Sequence, residues 1–173
     1  MAIRYWKEKQ IFSIDTKNTT YQMKVDSYGF LLHLYYGAKV NGAMDYLLTY
    51  ADRGFSGNPA EAGADRTYSL DVLPQEYPTW GTGDYRNAAL LIQNADHSES
   101  CKLQYAGHTI KKGKYNLSGL PAVYAEENEA ETLEIYMEDC VSNLKVILLY
   151  GVVEQLDIIT RSVIIENHGS ENI

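Results

Sequence analysis

The fold class follows from three stretches near the carboxyl end: LEIYME at 133–138, LKVILL at 144–149 and IITRSVIIE at 158–166. In the first stretch Leu133, Ile135 and Met137 alternate with polar or amphipathic neighbours, which is the two-residue period of a strand with one buried face. The second stretch is apolar except at Lys145, as expected of a strand covered on both faces. We therefore predict three consecutive long strands in this region.

The same alternation occurs near the amino end. Tyr21, Met23 and Val25 share one face of residues 20–25, a turn containing Gly29 follows, and residues 30–36 are rich in β-forming side chains. This pattern predicts an antiparallel hairpin. Helix signals are weak, because the acidic stretch 125–131 has no apolar stripe at helical spacing. The chain is thus predicted to be all-β, a large antiparallel β-sandwich with little helix.

One segment, from Asp45 to Arg86, does not alternate and is predicted to be a loop. It is long for a compact domain, and such loops are usually either functional or disordered. This one contains many charged and aromatic side chains, and its aromatic content is too high for a disordered segment. We expect it to be folded and packed against the rest of the chain.

Composition excludes several partners. The 173 residues suit one domain, 1–173, and the net charge of −8 argues against binding to nucleic acid or to an anionic membrane. Residues 1–10 lack the apolar core of a signal peptide, and no run reaches membrane-spanning length, so we predict a cytoplasmic protein. Cys101 and Cys140 are expected to be free thiols. No histidine or cysteine pair has ligand spacing, and we predict no metal and no cofactor.

Several motifs occur in a fixed order along the chain. They are DRGFSGNP at 52–59, DRTYSLD at 65–71, QEYP at 75–78, GDYR at 83–86, LSGLPAVY at 117–124 and ITRS at 159–162. In this order and with similar gaps, they resemble the amino-terminal domain of the α-galactosidases of glycoside hydrolase family 36. The resemblance covers nearly the whole chain, and several ordered motifs are far more specific than any one of them.

The resemblance implies a β-supersandwich that precedes a (β/α)₈ barrel. In the family the barrel carries both carboxylates of a retaining hydrolase, which removes terminal α-linked galactose from raffinose- or melibiose-type sugars. None of the barrel motifs is present, so we expect no catalytic residue in this chain and no activity of the chain alone. The turn signal at 167–172, followed by Ile173, predicts that the domain is truncated at its carboxyl end. A cytoplasmic homo-oligomer, a tetramer, is also implied.

The resemblance further implies that the predicted loop from Asp45 to Arg86 reaches toward the sugar pocket. In oligomers this is often the pocket of a neighbouring subunit. Asp52 matches the acidic residue of the family motif. Its carboxylate would accept hydrogen bonds from galactose hydroxyls. The alternative is that Asp52 and Arg53 pair with each other or cap the loop locally.

Two further residues of the loop are candidates for contact with the sugar. The planar fork of Arg66 can anchor a sugar hydroxyl, or it can form a structural ion pair. Trp80 can stack on a sugar ring or fill an interface. Asp84 and Arg86, two positions apart, would project the same way from an extended segment and favour a structural network over a ligand site.

Two other functions remain open. One is a stand-alone carbohydrate-binding module, which a β-sandwich containing 15 tyrosines would permit. The other is a purely structural interaction domain without sugar contact. A binding module should bind free sugar as a lone domain, whereas an accessory domain should bind almost none until its barrel is present.

Overall fold

The computed structural model describes residues 2–52, 54 and 57–173, and these form two antiparallel four-stranded sheets. The first sheet contains β1 (Ile3–Trp6), β2 (Ile11–Asp15), β3 (Thr19–Val25) and β4 (Leu31–Ala38), and the second contains β5 (Gln104–Lys112), β6 (Ala130–Asp139), β7 (Leu144–Val153) and β8 (Ile158–Asn167). In each sheet the spatial order follows the chain order. Three short 3₁₀ turns, Asp45–Leu47, Ala60–Ala62 and Glu154–Leu156, are the helical elements of the described chain, and none could span a membrane. The predicted all-β class with little helix is confirmed.

The predicted strands are also confirmed. β3 and β4 form the amino-terminal hairpin, with Val25 opposite Leu31 and a register shift between Gln22 and Met23. β6, β7 and β8 pair over their full lengths, so that Ile135 lies opposite Leu148 and Leu148 opposite Val163. The alternation in sequence therefore becomes the alternation of faces in the two sheets.

The main core lies between the sheets. Inward side chains of the first sheet, including Ile3, Ile14 and Met23, pack against Ile135 and Leu148 of the second, among others. Ile3, Ile14, Met23 and Ile135 are fully buried. Each such side chain contributes about 1.5–3 kcal/mol relative to leaving it exposed. This inter-sheet core is the main source of stability in the sandwich.

The interior of β7 is covered on both faces for part of its length. Leu148 and Leu149 are both buried, as predicted, whereas Lys145 and Ile147 are half-buried on the outer face. Further along β7, the 113–115 segment crosses Gly151, where an added Cβ would lie 2.7 Å from Thr160 Oγ1 and 3.0 Å from the Tyr115 ring. Only a glycine allows the segment to approach this closely.

The loop between β4 and β5, residues 39–103, is called the long loop below. It packs on the outer face of the first sheet. On that face Phe30 and Leu32 form a second apolar cluster with four residues of the loop, Ala62, Tyr68, Leu70 and Leu73. The folding of the loop is thus confirmed for its described residues. It continues past Arg86 to residue 103. Among the described residues, the apolar stretch around Leu90 forms one isolated bridge, to Thr79, and no strand.

A short part of the long loop extends the first sheet. Gln75 bridges to Leu32, His33 N–H donates to Pro74 O at 2.7 Å, and Glu76 N–H donates to Leu31 O at 2.9 Å. Residues 74–76 therefore lie along β4 and tie the loop to the sandwich at a defined register.

Candidate functional site

Asp52 and Arg66 form an exposed ion pair on the long loop. Arg66 Nε lies 3.3 Å from Asp52 Oδ2, and Nη2 donates to Oδ1 at 3.3 Å. Asp52 Oδ1 also accepts the Gly54 N–H at 2.7 Å, a local turn contact. The two side chains remain 47% and 65% exposed. The sequence prediction that paired Asp52 with Arg53 lies outside the described residues, and the described partner is Arg66.

The exposure of this pair limits its contribution to folding. An ion pair at such a surface is typically worth about 0–1 kcal/mol. Both side chains therefore retain hydrogen-bonding capacity toward solvent or a ligand. The turn below them is ordered by Asp65, whose Oδ1 accepts bonds from the Thr67 hydroxyl and N–H, and Asn58 Nδ2 donates to Asp65 O.

Trp80 is held by its backbone and is 43% exposed. Cys101 N–H donates to Trp80 O at 2.8 Å, and Thr79 Oγ1 donates to Cys101 O at 2.6 Å. No hydrogen bond or ion pair in the described part of the chain joins Trp80 to Asp52 or Arg66. The structure thus brings Asp52 and Arg66 together and fixes Trp80 separately on the same loop.

Asp84 and Arg86 form the predicted structural network. Arg86 donates to both carboxylate oxygens of Asp84, and its Nη2 also donates to Leu70 O and Leu73 O, each at 2.7 Å. Gln75 Nε2 donates to Asp84 Oδ2 at 2.8 Å. Burial alone would raise the pKa of Asp84, but the bonds from Arg86 and Gln75 lower it below its ordinary value. This clamp holds residues 70–86 together.

A buried carboxylate, Glu76, joins both sheets to the long loop. It accepts the hydroxyls of Tyr21 and Tyr150 at 2.7 Å, and Arg161 Nη2 lies 2.6 Å from its Oε1. His33 Nδ1 lies 3.4 Å from Oε2, and the Glu76 side chain is only 2% exposed. Tyr21 and His33 belong to the first sheet, whereas Tyr150 and Arg161 belong to the second. These five residues are called the Glu76 cluster.

The surroundings of Glu76 favour the charged form of its carboxylate. Burial alone would raise the pKa of Glu76, but His33, Arg161 and the two tyrosine hydroxyls lower it below its ordinary value. Burial and the nearby carboxylate raise the pKa of Tyr21 and of Tyr150, so both remain hydroxyl donors. The Arg161 guanidinium also lies over the Tyr150 ring, 5.4 Å from its centroid. With these partners in place, the carboxylate serves as an internal anchor.

The two cysteines are further reactive side chains. Cys101 is buried and Cys140 exposed, and both are free. Burial, with a smaller effect from Asp139, raises the pKa of the Cys101 thiol to about 12. No group of three or more potential metal ligands occurs among residues 2–52, 54 and 57–173.

The Glu76 cluster was not predicted from the sequence. Glu76 and Arg161 belong to QEYP and ITRS, two motifs far apart along the chain, and nothing local to either motif shows that they meet. The sequence did contain one indication of the cluster. Arg161 occupies the same alternating face of β8 as Ile159 and Val163, and a charge on a largely apolar face calls for an opposite charge nearby.

Comparison with known proteins identifies the family. The family model for the glycosyl hydrolase family 36 N-terminal domain matches residues 29–173. The chain is 61% identical over 173 residues to the bifunctional α-galactosidase/sucrose kinase AgaSK of Mediterraneibacter gnavus, covering 100% of this chain and 18% of that protein. It is 41% identical to α-galactosidase AgaA of Geobacillus stearothermophilus, covering 100% of this chain and 24% of that protein.

Solved structures agree. The galactosidase domain of AgaSK superposes with a TM-score of 0.96 at 60% identity, over 98% of this chain and 24% of that one. A variant of AgaA from Geobacillus stearothermophilus, solved in complex with raffinose, superposes with a TM-score of 0.88 at 42% identity, over 93% of this chain and 22% of that one. The chain spans about a fifth to a quarter of the length of these relatives. It belongs to the glycosyl hydrolase family 36 N-terminal domain family.

Proposed function

We propose that this chain is the amino-terminal accessory domain of a cytoplasmic α-galactosidase that removes terminal α-linked galactose from oligosaccharides such as raffinose or melibiose. The observation that carries the proposal is the exposed Asp52–Arg66 pair on a loop anchored to the sandwich. Its family membership and its 61% identity to AgaSK support the reaction class. The domain shapes the sugar pocket and contributes subunit contacts in a homo-oligomer, a tetramer.

The chemistry of the Asp52–Arg66 pair suits a sugar. A carboxylate accepts two hydroxyl hydrogen bonds at once, and the guanidinium beside it donates to a third oxygen, so together they define the orientation of a pyranose ring. The half-exposed indole of Trp80 offers an apolar surface for a sugar ring or for a neighbouring domain. We assign sugar contact to Asp52, Arg66 and Trp80 on this basis.

Hydrolysis itself is assigned to a barrel outside this chain. Retaining cleavage requires a nucleophilic carboxylate and an acid/base carboxylate about 5 Å apart across the scissile bond. The buried carboxylates Glu76 and Asp84 each bind donors from their own domain, which supports an anchoring role for both. The chain alone is therefore proposed to be inactive, and its partner is its own catalytic barrel.

The test compares three proteins on a chromogenic α-galactoside: this chain, the full-length parent and the parent carrying Asp52→Ala. We expect no turnover by the chain alone and turnover by the parent. Asp52→Ala should raise KM roughly tenfold, because a ground-state sugar contact is lost, without a change in thermal unfolding. A parent inactive on every α-galactoside would refute the reaction. Binding of free galactose or raffinose by the chain alone would favour a stand-alone carbohydrate-binding module.

A further inference from the structure

We propose that Glu76 is a positioning residue for the long loop, and that its buried carboxylate determines where Trp80 meets the sugar. The inference rests on the proposed function. It assigns to Glu76 no contact with substrate and no part in the bond-breaking step. Its effect on the sugar is exerted through Trp80.

Contacts from both sheets fix the position of the Glu76 carboxylate. It accepts hydrogen bonds from the hydroxyls of Tyr21 on β3 and Tyr150 on β7. It also lies within ion-pair distance of Arg161 on β8 and His33 on β4. Donors that approach one carboxylate from both sheets leave it a single position. The backbone N–H of Glu76 is also bonded to Leu31 O, so neither its side chain nor its main chain can slide along β4.

The energetic cost of burying Glu76 also points to a positioning role. A buried ion pair is often no more stabilising than well-packed apolar residues of similar volume, because removing two charges from water costs several kcal/mol per ion. Apolar residues that replaced Glu76 together with its partners could hold the loop on the sandwich equally well. Apolar contacts are not directional, whereas hydrogen bonds to a carboxylate define both the distance and the angle between the groups. The feature specific to Glu76 is therefore the position that it imposes on the loop.

The chain between Glu76 and Trp80 is held in place by tertiary contacts. Tyr77 packs against the main core, Pro78 O accepts the Ala89 N–H, and Thr79 bridges to Leu90. Residues 76–80 thus run from the anchor to the indole with a tertiary contact at every step. On the other side of the anchor, Gln75 donates to Asp84, which links Glu76 to the Asp84–Arg86 clamp. This packed segment is the proposed route by which Glu76 sets the position of Trp80.

The test measures KM and kcat of the full-length parent and of Glu76→Gln, an isosteric change that removes the charge. KM should rise about threefold to tenfold with kcat within about twofold, because positioning lost in the ground state appears in KM. Tyr150→Phe, which removes one donor and keeps the ring, should raise KM in the same direction by a smaller factor. This second variant keeps the test informative if Glu76→Gln does not fold.

The double variant tests whether Glu76 acts through Trp80. Trp80→Ala should raise KM, and adding Glu76→Gln to it should raise KM no further, since the group being positioned is gone. A matched control is Asp157→Asn. Asp157 ties the two sheets at another place, accepting Thr16 Oγ1 at 2.7 Å and Asn18 Nδ2 at 2.6 Å, and does not contact the long loop through these bonds. It should lower thermal stability and leave KM unchanged.

The outcomes separate the two proposals. If Asp52→Ala or Trp80→Ala raises KM while Glu76→Gln and Tyr150→Phe do not, positioning by Glu76 is refuted and the proposed function stands. If Glu76→Gln raises KM by the same factor in the unchanged parent and in the Trp80→Ala variant, the route through Trp80 is refuted. If neither Asp52→Ala nor Trp80→Ala changes KM, sugar contact by the long loop is refuted and positioning by Glu76 is refuted with it.

Discussion

Arg161 Nη2 lies 2.6 Å from Glu76 Oε1. About half of the arginine side chain is exposed to solvent, whereas the carboxylate is buried. The pair joins the last strand of the second sheet to the middle of the long loop. Each residue belongs to one of the ordered sequence motifs, and their contact gives both motifs a common structural role. Four predictions test the anchoring described above and the packing around it.

The first concerns the hydroxyl of Tyr150. Tyr150→Phe leaves the buried Glu76 carboxylate with one donor fewer, and losing a hydrogen bond to a buried charged group costs about 1.5–3 kcal/mol. Urea unfolding of the 173-residue chain should show a loss of that size. The control is Tyr124→Phe, at a tyrosine that is 83% exposed, which should change the free energy of unfolding by less than about 0.5 kcal/mol. Equal effects of the two changes would contradict the role of the cluster.

The second concerns the pH dependence of Glu76. Its pKa is lowered in the folded state, so its contribution to stability is present above the unfolded value of 4.5 and is lost as pH falls through the folded value. The free energy of unfolding should decrease as pH falls below 4.5, and Glu76→Gln should flatten that decrease. An unchanged pH dependence in the variant would show that other carboxylates account for acid unfolding.

The third concerns His108, which contacts the rings of Tyr5 and Phe12 and is bonded to the Tyr105 hydroxyl through Nδ1. Burial lowers its pKa below 6.5, so the folded state favours the neutral imidazole. Its contribution to stability is therefore present above pH 6.5 and is lost as pH falls below that value. Urea unfolding between pH 7.5 and 5.5 should show a smaller pH dependence in His108→Asn than in the unchanged chain. A larger dependence in the variant would contradict this sign.

The fourth concerns close packing at Gly151. A Cβ there would press against Thr160, Tyr115 and Lys114 at 2.7–3.1 Å, so Gly151→Ala should destabilise the chain by about 1–3 kcal/mol. Gly42→Ala is the matched control, because its added Cβ meets nothing within 4 Å. It should be neutral or slightly stabilising, by up to about 1 kcal/mol, through the entropy of the unfolded chain. Thermal unfolding of both variants measures the difference.

Much of the framework could be predicted from the sequence because strand patterns are local. The alternation of Leu133, Ile135 and Met137 reports directly which face is buried, and all three side chains lie in the main core. The hairpin turn at Gly29 has a local signature of the same kind, and its φ of +84° is one that glycine readily adopts. The structural pairing of Asp84 with Arg86 also follows from spacing alone.

Residue patterns were enough to predict the all-β class, the strands, the folding of the long loop and, through ordered motifs, the resemblance to the family. The pairing of Asp52 with Arg66, the course of residues 74–76 along β4 and the contact of Glu76 with Arg161 became visible only in the folded chain. The alternation of a strand depends only on residues that are neighbours in sequence. A buried ion pair depends on how a loop and two sheets come together, and no local pattern contains that information.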